Sequence, residues 1–276
     1  MDEFKELLNN EKIDERIKSL RNRKKMKRVI QIASIIIIVS AIILFIYETI
    51  LFVKRATLFS LNNIIVKGNN ILSAKDIFQI GELSNKDNIF NINIHKLKKR
   101  LELHPLIKRA EIKRQLPDKL LIIIKERKGI ALLNLQDRKV SHLYELDEDG
   151  YVIAEDNNII DIDKPVITGV LGEQLIPGEQ IANTNIRKVL KTLYKIEEVI
   201  YHFDKTIAEI NIDNYYPDVE YTLIIDKWNF PVYLGKKFDF LKLKKLNFLL
   251  MVLSDKLDRL EYVDFKYNDA VGKFKS

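Results

Sequence analysis

The chain of 276 residues contains no cysteine. Disulfide staples, thiolate metal sites and cysteine nucleophiles are thereby excluded, and with them a sortase-type transpeptidase. No G-x-S-x-G, S-x-x-K or G-x-x-x-x-G-K-[ST] stretch occurs either, which leaves nucleophilic serine chemistry and phosphate cradling without a motif. The four histidines, His95, His104, His142 and His202, lie 9, 38 and 60 residues apart in succession, with no H-E-x-x-H among them. Zinc hydrolysis has no support in that spacing. Asp147-Glu148-Asp149-Gly150 resembles the middle of a calcium loop, but Ile159 and Ile160 stand where the closing bidentate glutamate belongs. A hairpin turn with solvated acids is the expected reading, and neither cofactor, metal nor catalytic residue is expected.

What the chain has instead is a run of nineteen uncharged residues, Val29 to Tyr47, of which thirteen are Ile, Leu, Val or Phe. As a helix this run spans about 28 Å, close to the roughly 30 Å of bilayer hydrocarbon. It exceeds the usual apolar core of a cleaved signal peptide, follows a head of 28 residues and precedes no small-x-small cleavage site, so a retained anchor is expected. Eight cations lie within the 13 residues before the run (Arg16, Lys18, Arg21, Arg23, Lys24, Lys25, Lys27 and Arg28), against Lys54 and Arg55 directly after it. The positive-inside bias predicts a cytoplasmic N-terminus and extracytoplasmic domains beyond about Lys54, on a single-pass protein.

Net charge is +7; ten Lys/Arg minus six Asp/Glu place +4 of it in the first 28 residues. The remaining +3 is spread among mixed charges, which is not a nucleic-acid signature. Phe4, Leu7, Leu8, Ile13, Ile17 and Leu20 recur at roughly helical spacing, so the head is expected to form a short amphipathic helix near anionic lipid.

Beyond the anchor, Leu58 to Lys67 reads as a strand closed by Gly68-Asn69-Asn70, a turn favourable for positive φ. Ser73 and Asp76 form a capping-box pattern for a helix ended by Gly81, and a second helix is expected from about Asn93 to Leu103. Ile107–Arg114 and Lys119–Arg127 alternate as strands around Leu116-Pro117-Asp118 and should pair as a hairpin. Further on, strands are predicted near Val140–Leu146, Tyr151–Ala154, Pro165–Thr168, Ile207–Ile212, Val219–Ile225, Pro231–Leu234 and Leu260–Tyr267. Two helices interrupt them, with apolar faces Ile186, Val189, Leu190, Leu193, Ile196, Ile200 and Phe240, Leu243, Leu246, Leu250, Leu253. The expected class is α+β: one transmembrane helix, a small β-α-α-β-β unit, and a second mixed, mainly antiparallel β domain with two helices.

The order strand, helix, helix, strand, strand, together with GNN-ILSAKDI, the NIFNI at Asn88–Ile92, HPLIKRAEIKRQLPDKLLIIIKER at His104–Arg127 and the following GIALL, resembles the POTRA domain of the FtsQ/DivIB family of bacterial cell-division proteins. LDEDGYVI at Leu146–Ile153, KPVITG at Lys164–Gly169 and EYVDFKYNDAVGKF at Glu261–Phe274 are similar to that family's second, β-rich domain and its terminal strand. Leu106 and Lys128-Gly129 depart from the family pattern in ways that concern local packing. The resemblance implies a segmentation into a cytoplasmic basic segment (1–28), a transmembrane helix with flank (29–53), a POTRA domain (58–127) and a C-terminal β domain (128–276). It also implies a non-enzymatic divisome scaffold at the septum, coupling assembly to septal peptidoglycan synthesis. The alternatives are a membrane-anchored extracytoplasmic hydrolase or peptidase, and a POTRA-type component for polypeptide transport or assembly.

Alternation along the last predicted strand sends Val263, Phe265 and Tyr267 to one face and Tyr262, Asp264 and Lys266 to the other. From that pattern alone, Tyr262 either stands beside a free strand edge for partner recognition or packs under a loop while Lys266 guards the edge. The resemblance favours the first reading. It implies docking of FtsB/DivIC-like and FtsL-like membrane proteins through Tyr262, Asp264, Lys266 and Phe274, and contacts with other divisome proteins; neither nucleic acid nor a small-molecule substrate is implied.

Overall fold

The computed structural model describes residues 2–84, 87–137, 140–172, 174–200, 203–213, 218–267 and 269–275; side chains are described outside 2–17, 19–22, 24, 55, 57, 137, 140 and 204. His202 and the apolar side chains predicted for the head lie outside that description.

Helix α1 runs from Asp2 to Arg55 without a break. Its stretch Lys25–Lys54 is long and apolar enough to cross a membrane. Ile and Leu side chains that would be a liability in water are exposed along it, from Ile30 to Phe52. The hydroxyls of Ser34, Ser40 and Thr49 donate to the carbonyls of Gln31, Ile37 and Phe45, which hides the polar groups of the span against their own helix.

The chain forms two compact units. The first comprises Met1–Asn63, Ser84–Ile92 and Gln115–Lys119, the second Ile64–Leu83, Asn93–Arg114 and Leu120–Ser276. In the first, loops gather around the end of α1. Leu61 N–H donates to Asp87 O, Ile89 N–H to Phe59 O, and Asn62 N–H to Asp118 O, while the rings of Phe59 and Phe90 meet edge to face at 5.1 Å.

The second unit opens on a three-stranded sheet of order β1-β3-β2, made by β1 (Asn63–Lys67), β2 (Ile107–Gln115) and β3 (Lys119–Glu126). Helices α2 (Ala74–Ile80) and α3 (Ile94–Glu102) precede β2 in sequence. Gly68 follows β1 at φ +80°, and a β-carbon there would fall 2.1 Å from Ile124 O, so the turn accepts only glycine without distortion. The capping box read from the sequence is present: Ser73 Oγ accepts from Asp76 N–H, and Asp76 accepts from Ser73 N–H. These bonds, the Ser73 hydroxyl foremost, hold the Asp76 carboxyl below its ordinary range. Asn93 caps α3 through His95 and Lys96. Ile77, Leu97, Leu101, Ile107, Leu120, Ile122 and Ile124 are buried, each contributing roughly 1.5–3 kcal/mol on removal from water.

A nine-stranded mixed sheet follows, of order β12-β11-β10-β9-β8-β7-β4-β5-β6. Its strands are β4 (Gly129–Asp137), β5 (Val140–Asp147), β6 (Val152–Glu155), β7 (Val166–Leu171), β8 (Ile207–Asp213), β9 (Glu220–Ile225), β10 (Pro231–Gly235), β11 (Leu260–Asp264) and β12 (Val271–Phe274). Helices α4 (Thr184–Val199) and α5 (Phe240–Val252) bury Ile186, Val189, Leu190, Leu193 and Ile196, and Leu243, Leu246 and Leu250, in the core formed with the strands. The sequence pattern selected these positions for the core together with Ile200, Phe240 and Leu253, which are only partly buried and pack against its margin.

Four features differ from the sequence reading. The strand read over Leu58–Lys67 begins only at Asn63, because Thr57–Phe59 closes the membrane helix as a 3-10 turn. Gly129–Asp137 is a strand, β4, between β7 and β5, whereas alternation had been read only in its neighbours; its Ile130, Ala131, Leu132 and Leu133 are buried without a break, so a period of two is invisible. Leu260–Tyr267 is not one strand: β11 ends at Asp264, whose Oδ1 accepts from Lys266 N–H and turns the chain, leaving Tyr267 80% exposed instead of on the core face. The acids of the Asp147–Gly150 turn are not all solvated, because Asp147 is wholly buried against Arg127.

Candidate functional site

The turn after Asp264 sends the chain back through β12, which pairs antiparallel with β11 in the register Asp264↔Val271, Val263↔Gly272, Tyr262↔Lys273 and Leu260↔Phe274. On its other side β11 pairs parallel with β10, Val232 opposite Val263 and Tyr233 opposite Asp264. β11 is therefore an interior strand, and the free edge lies one strand further out than the sequence implied. All four residues of β12 are exposed, and among the described residues no further strand follows it in the sheet. Such an edge offers unpaired backbone donors and acceptors to an added strand.

Tyr262 is half-buried on β11. Its ring meets that of Tyr233 edge to face at 5.8 Å, and Lys273 Nζ lies 6.0 Å from its centroid. Lys266 Nζ reaches Glu220 Oε2 at 2.9 Å and lies 5.8 Å from the Tyr233 ring, while Lys273 Nζ reaches Glu261 Oε2 at 2.9 Å. The Glu220 and Glu261 carboxylates, as hydrogen-bond acceptors, raise the Lys266 and Lys273 ammonium groups above their ordinary range. Asp264 is turned inward to the Lys266 backbone, and Phe274 ends β12 at 43% exposure. The structure thus brings Tyr262, Asp264 and Lys266 to one patch, with Phe274 at the far end of the adjoining strand. Sequence reasoning missed Tyr233, Glu220, Glu261 and Lys273, which join the patch through pairing across strands.

Beside this edge lies a hollow of about 550 Å³ lined by Leu241, Phe248, Leu249, Phe265 and Ala270, together with the charged Lys244, Lys245 and Asp269. It suits apolar side chains of a protein segment.

A different cluster, His142, Glu155 and Asp156, gathers ligand atoms within 4.8 Å of one another at the β5–β6 end of the sheet. Their separation in sequence gives no metal spacing. His142 Nδ1 already sits 3.1 Å from Asp156 Oδ2, and Asp156 Oδ1 accepts from Leu143 N–H at 2.8 Å. That backbone bond, followed by the His142 contact, lowers the Asp156 carboxyl, and the trio acts as a tie across the hairpin.

With this geometry in place, comparison with known proteins is informative. Residues 59–127 match the POTRA domain, FtsQ-type. The chain is 27% identical over 202 residues to the cell division protein FtsQ of Syntrophotalea carbinolica, covering 73% of this chain and 68% of that relative. It is 33% identical over 152 residues to the cell division protein DivIB of Clostridium tetani, covering 54% of this chain and 55% of the relative, so that match spans about half of DivIB. A third relative, the cell division protein FtsQ of Geotalea daltonii, is 26% identical over 200 residues, or 72% and 70% of the two chains. The FtsQ/DivIB resemblance read from the sequence therefore holds, and the similarity points to a membrane-anchored role in cell division.

Proposed function

We propose that this chain, with its FtsQ-type POTRA domain and its kinship to FtsQ and DivIB, is a non-enzymatic bitopic scaffold of the divisome. Its head is cytoplasmic and its modules stand outside the membrane at the septum, as the cations before the span favour. It recruits FtsB/DivIC-like and FtsL-like single-pass proteins and couples their assembly to septal peptidoglycan synthesis. The observation that carries the reading is the exposed edge of β12 next to Tyr262 and the Phe265 hollow. A partner strand adds to that edge through backbone hydrogen bonds, its apolar side chains enter the hollow, and Tyr262, Lys266 and Phe274 flank the contact. Asp264 serves indirectly, by holding the turn that releases β12 from β11. Since both partners are confined to one membrane, their effective concentration is high and a modest contact suffices.

The test is a photo-crosslinking amino acid at position 262 or 274 of the full chain in dividing cells. Capture of a small coiled-coil membrane protein at midcell, with septation blocked on depletion, is the expected result. Diffuse localisation with normal division would overturn the scaffold reading. Activity of the purified protein that disappears with one polar side chain would favour an envelope hydrolase instead, and capture of a barrel or secretion complex would favour transport.

A further inference from the structure

The NIF segment at Asn88–Phe90 plays no part in the edge just described, yet Asn88 is buried, as are Glu145 and Asp147 among the polar residues described. Its Nδ2 donates to Val53 O at 3.1 Å and to Ala56 O at 3.3 Å, at the end of α1, while its Oδ1 accepts from Phe90 N–H at 2.9 Å. Carbonyls in the last turn of a helix lack intrahelical donors, and a side-chain amide supplies one here. A bridge between Ser60 and Asn88 lies alongside, with Leu61 N–H on Asp87 O and Ile89 N–H on Phe59 O. Asn62 extends the chain of bonds: its N–H donates to Asp118 O at 3.1 Å and its Nδ2 to Asp118 Oδ2 at 3.2 Å. The end of the membrane helix is thus fastened to two loops, 87–90 and 116–118, and all these residues belong to one compact unit.

The apolar span ends at Lys54. Its thirty residues measure about 45 Å as a helix, the thickness of a bilayer with its headgroups. Val53 and Ala56 therefore lie at the outer limit of the headgroup layer, and loops bonded to them are held at that level. Large apolar side chains are exposed beside them, Leu58 at 66% in the turn that follows the helix and Leu116 at 60% in the 116–118 loop, next to the exposed cations Lys54 and Lys119. The half-buried acids of the same loops are engaged as acceptors, Asp87 Oδ2 from Ser84 N–H and Asp118 Oδ2 from Asn62 Nδ2. Apolar tips flanked by exposed cations fit the layer of anionic headgroups, where the cations meet lipid phosphates and the leucines are shielded from bulk water.

We infer that Asn88 is a positioning residue that fastens the end of the anchor helix to the 87–90 loop, that Asn62 holds the 116–118 loop beside it, and that Leu58 and Leu116 thereby rest in the bilayer interface. The first unit is seated on the lipid surface instead of swinging on a free tether.

The absence of native cysteine allows a direct test. Leu58→Cys and Leu116→Cys, each carrying an environment-sensitive fluorophore, are placed in the full chain in nanodiscs containing phosphatidylglycerol, with and without a lipid quencher at headgroup depth. Both labels are expected to emit as in an apolar medium and to be quenched. Asn88→Ala should remove most of that quenching with the circular dichroism spectrum retained, at a melting temperature lowered by the loss of a buried, hydrogen-bonded side chain. Asn88→Asp keeps the acceptor for Phe90 N–H but loses the donor, and it should behave alike; it decides the matter if the alanine variant fails to fold. Water-like emission without quenching in the native background overturns the proposal, as does quenching that survives in a folded Asn88 variant.

Discussion

Arg127 Nη1 lies 2.6 Å from Asp147 Oδ2, with the Arg127 side chain 9% and the Asp147 side chain 0% exposed. The guanidinium also stacks 3.8 Å from the centroid of Tyr151, and Asp147 Oδ1 accepts from the N–H groups of Asp149 and Tyr151. Arg127 follows β3 directly and donates its N–H to Leu106 O, so the pair ties the end of the POTRA sequence to the hairpin turn of the larger sheet. Lys108 Nζ adds a second tie, to Glu148 at 2.6 Å and Asp149 at 2.7 Å.

Breaking such a pair from one side leaves a desolvated charge without its partner. Asp147→Ala should therefore lower unfolding stability by about 3–5 kcal/mol, read from the denaturant midpoint of the purified chain. The combination Arg127→Met with Asp147→Leu should cost less than Asp147→Ala, although not nothing, since two N–H groups lose their acceptor. A double variant as unstable as the sum of Arg127→Met alone and Asp147→Leu alone would show that the charges act independently.

Gly129 opens β4 under the buried Glu145: a β-carbon on Gly129 would fall 2.0 Å from Glu145 Oε1, 2.7 Å from its Cδ and 2.8 Å from its Cγ. Glu145 is 2% exposed and has little room to yield. Gly129→Ala should cost roughly 1–3 kcal/mol by overpacking. Adding Glu145→Ala should recover part of that loss, whereas Glu145→Gln, of equal size, should not. Thermal melting of the three chains decides it.

The sequence made much of this fold legible because helix caps and turns depend on few neighbours. Ser73 with Asp76, Asn93, Gly68 and the 116–118 turn act within a few residues of themselves, and all stand as read. β4 escaped because a strand buried on both faces shows no alternation, and its burial depends on β7, some thirty residues later. The candidate site was legible in its residues and not in its edge. Alternation assigned Tyr262 and Val263 to opposite faces correctly, but one bond from Lys266 N–H to Asp264 ended the strand early and supplied a second, covering strand. Tyr233 and Glu220 were out of reach because they come from strands β10 and β9.

Glu145 gives the clearest pH signature. Burial raises its carboxyl above the ordinary range, partly offset by the hydrogen bond from Ile160 N–H and by Lys164. A carboxyl whose folded pKa exceeds its unfolded value binds its proton more tightly in the folded chain, so its contribution falls as pH rises from the unfolded to the folded pKa. Glu145→Gln removes that loss. The variant should gain melting temperature relative to the parent above this window and converge with it in acid, where both side chains are neutral. A constant difference at all pH values would mean that Glu145 keeps its charge without penalty.

The proposed docking edge yields a discriminating pair of variants. Phe274 ends β12 with its ring 43% exposed, so Phe274→Ala should leave melting nearly unchanged while weakening partner binding about tenfold, as loss of an aromatic anchor does. Truncation after Tyr267 is different in kind. It removes β12 and uncovers the edge of β11, which carries Tyr262 and could itself accept a strand. If backbone pairing alone decided recruitment, a partner would shift inward by one strand and binding would survive. The added strand would then lack Lys273 and Phe274 beside it, and the hollow would have lost Asp269 and Ala270 from its lining. Binding measured by crosslinking at position 262 should consequently be lost on truncation. Full retention would move recognition from β12 to the Tyr233–Tyr262 face.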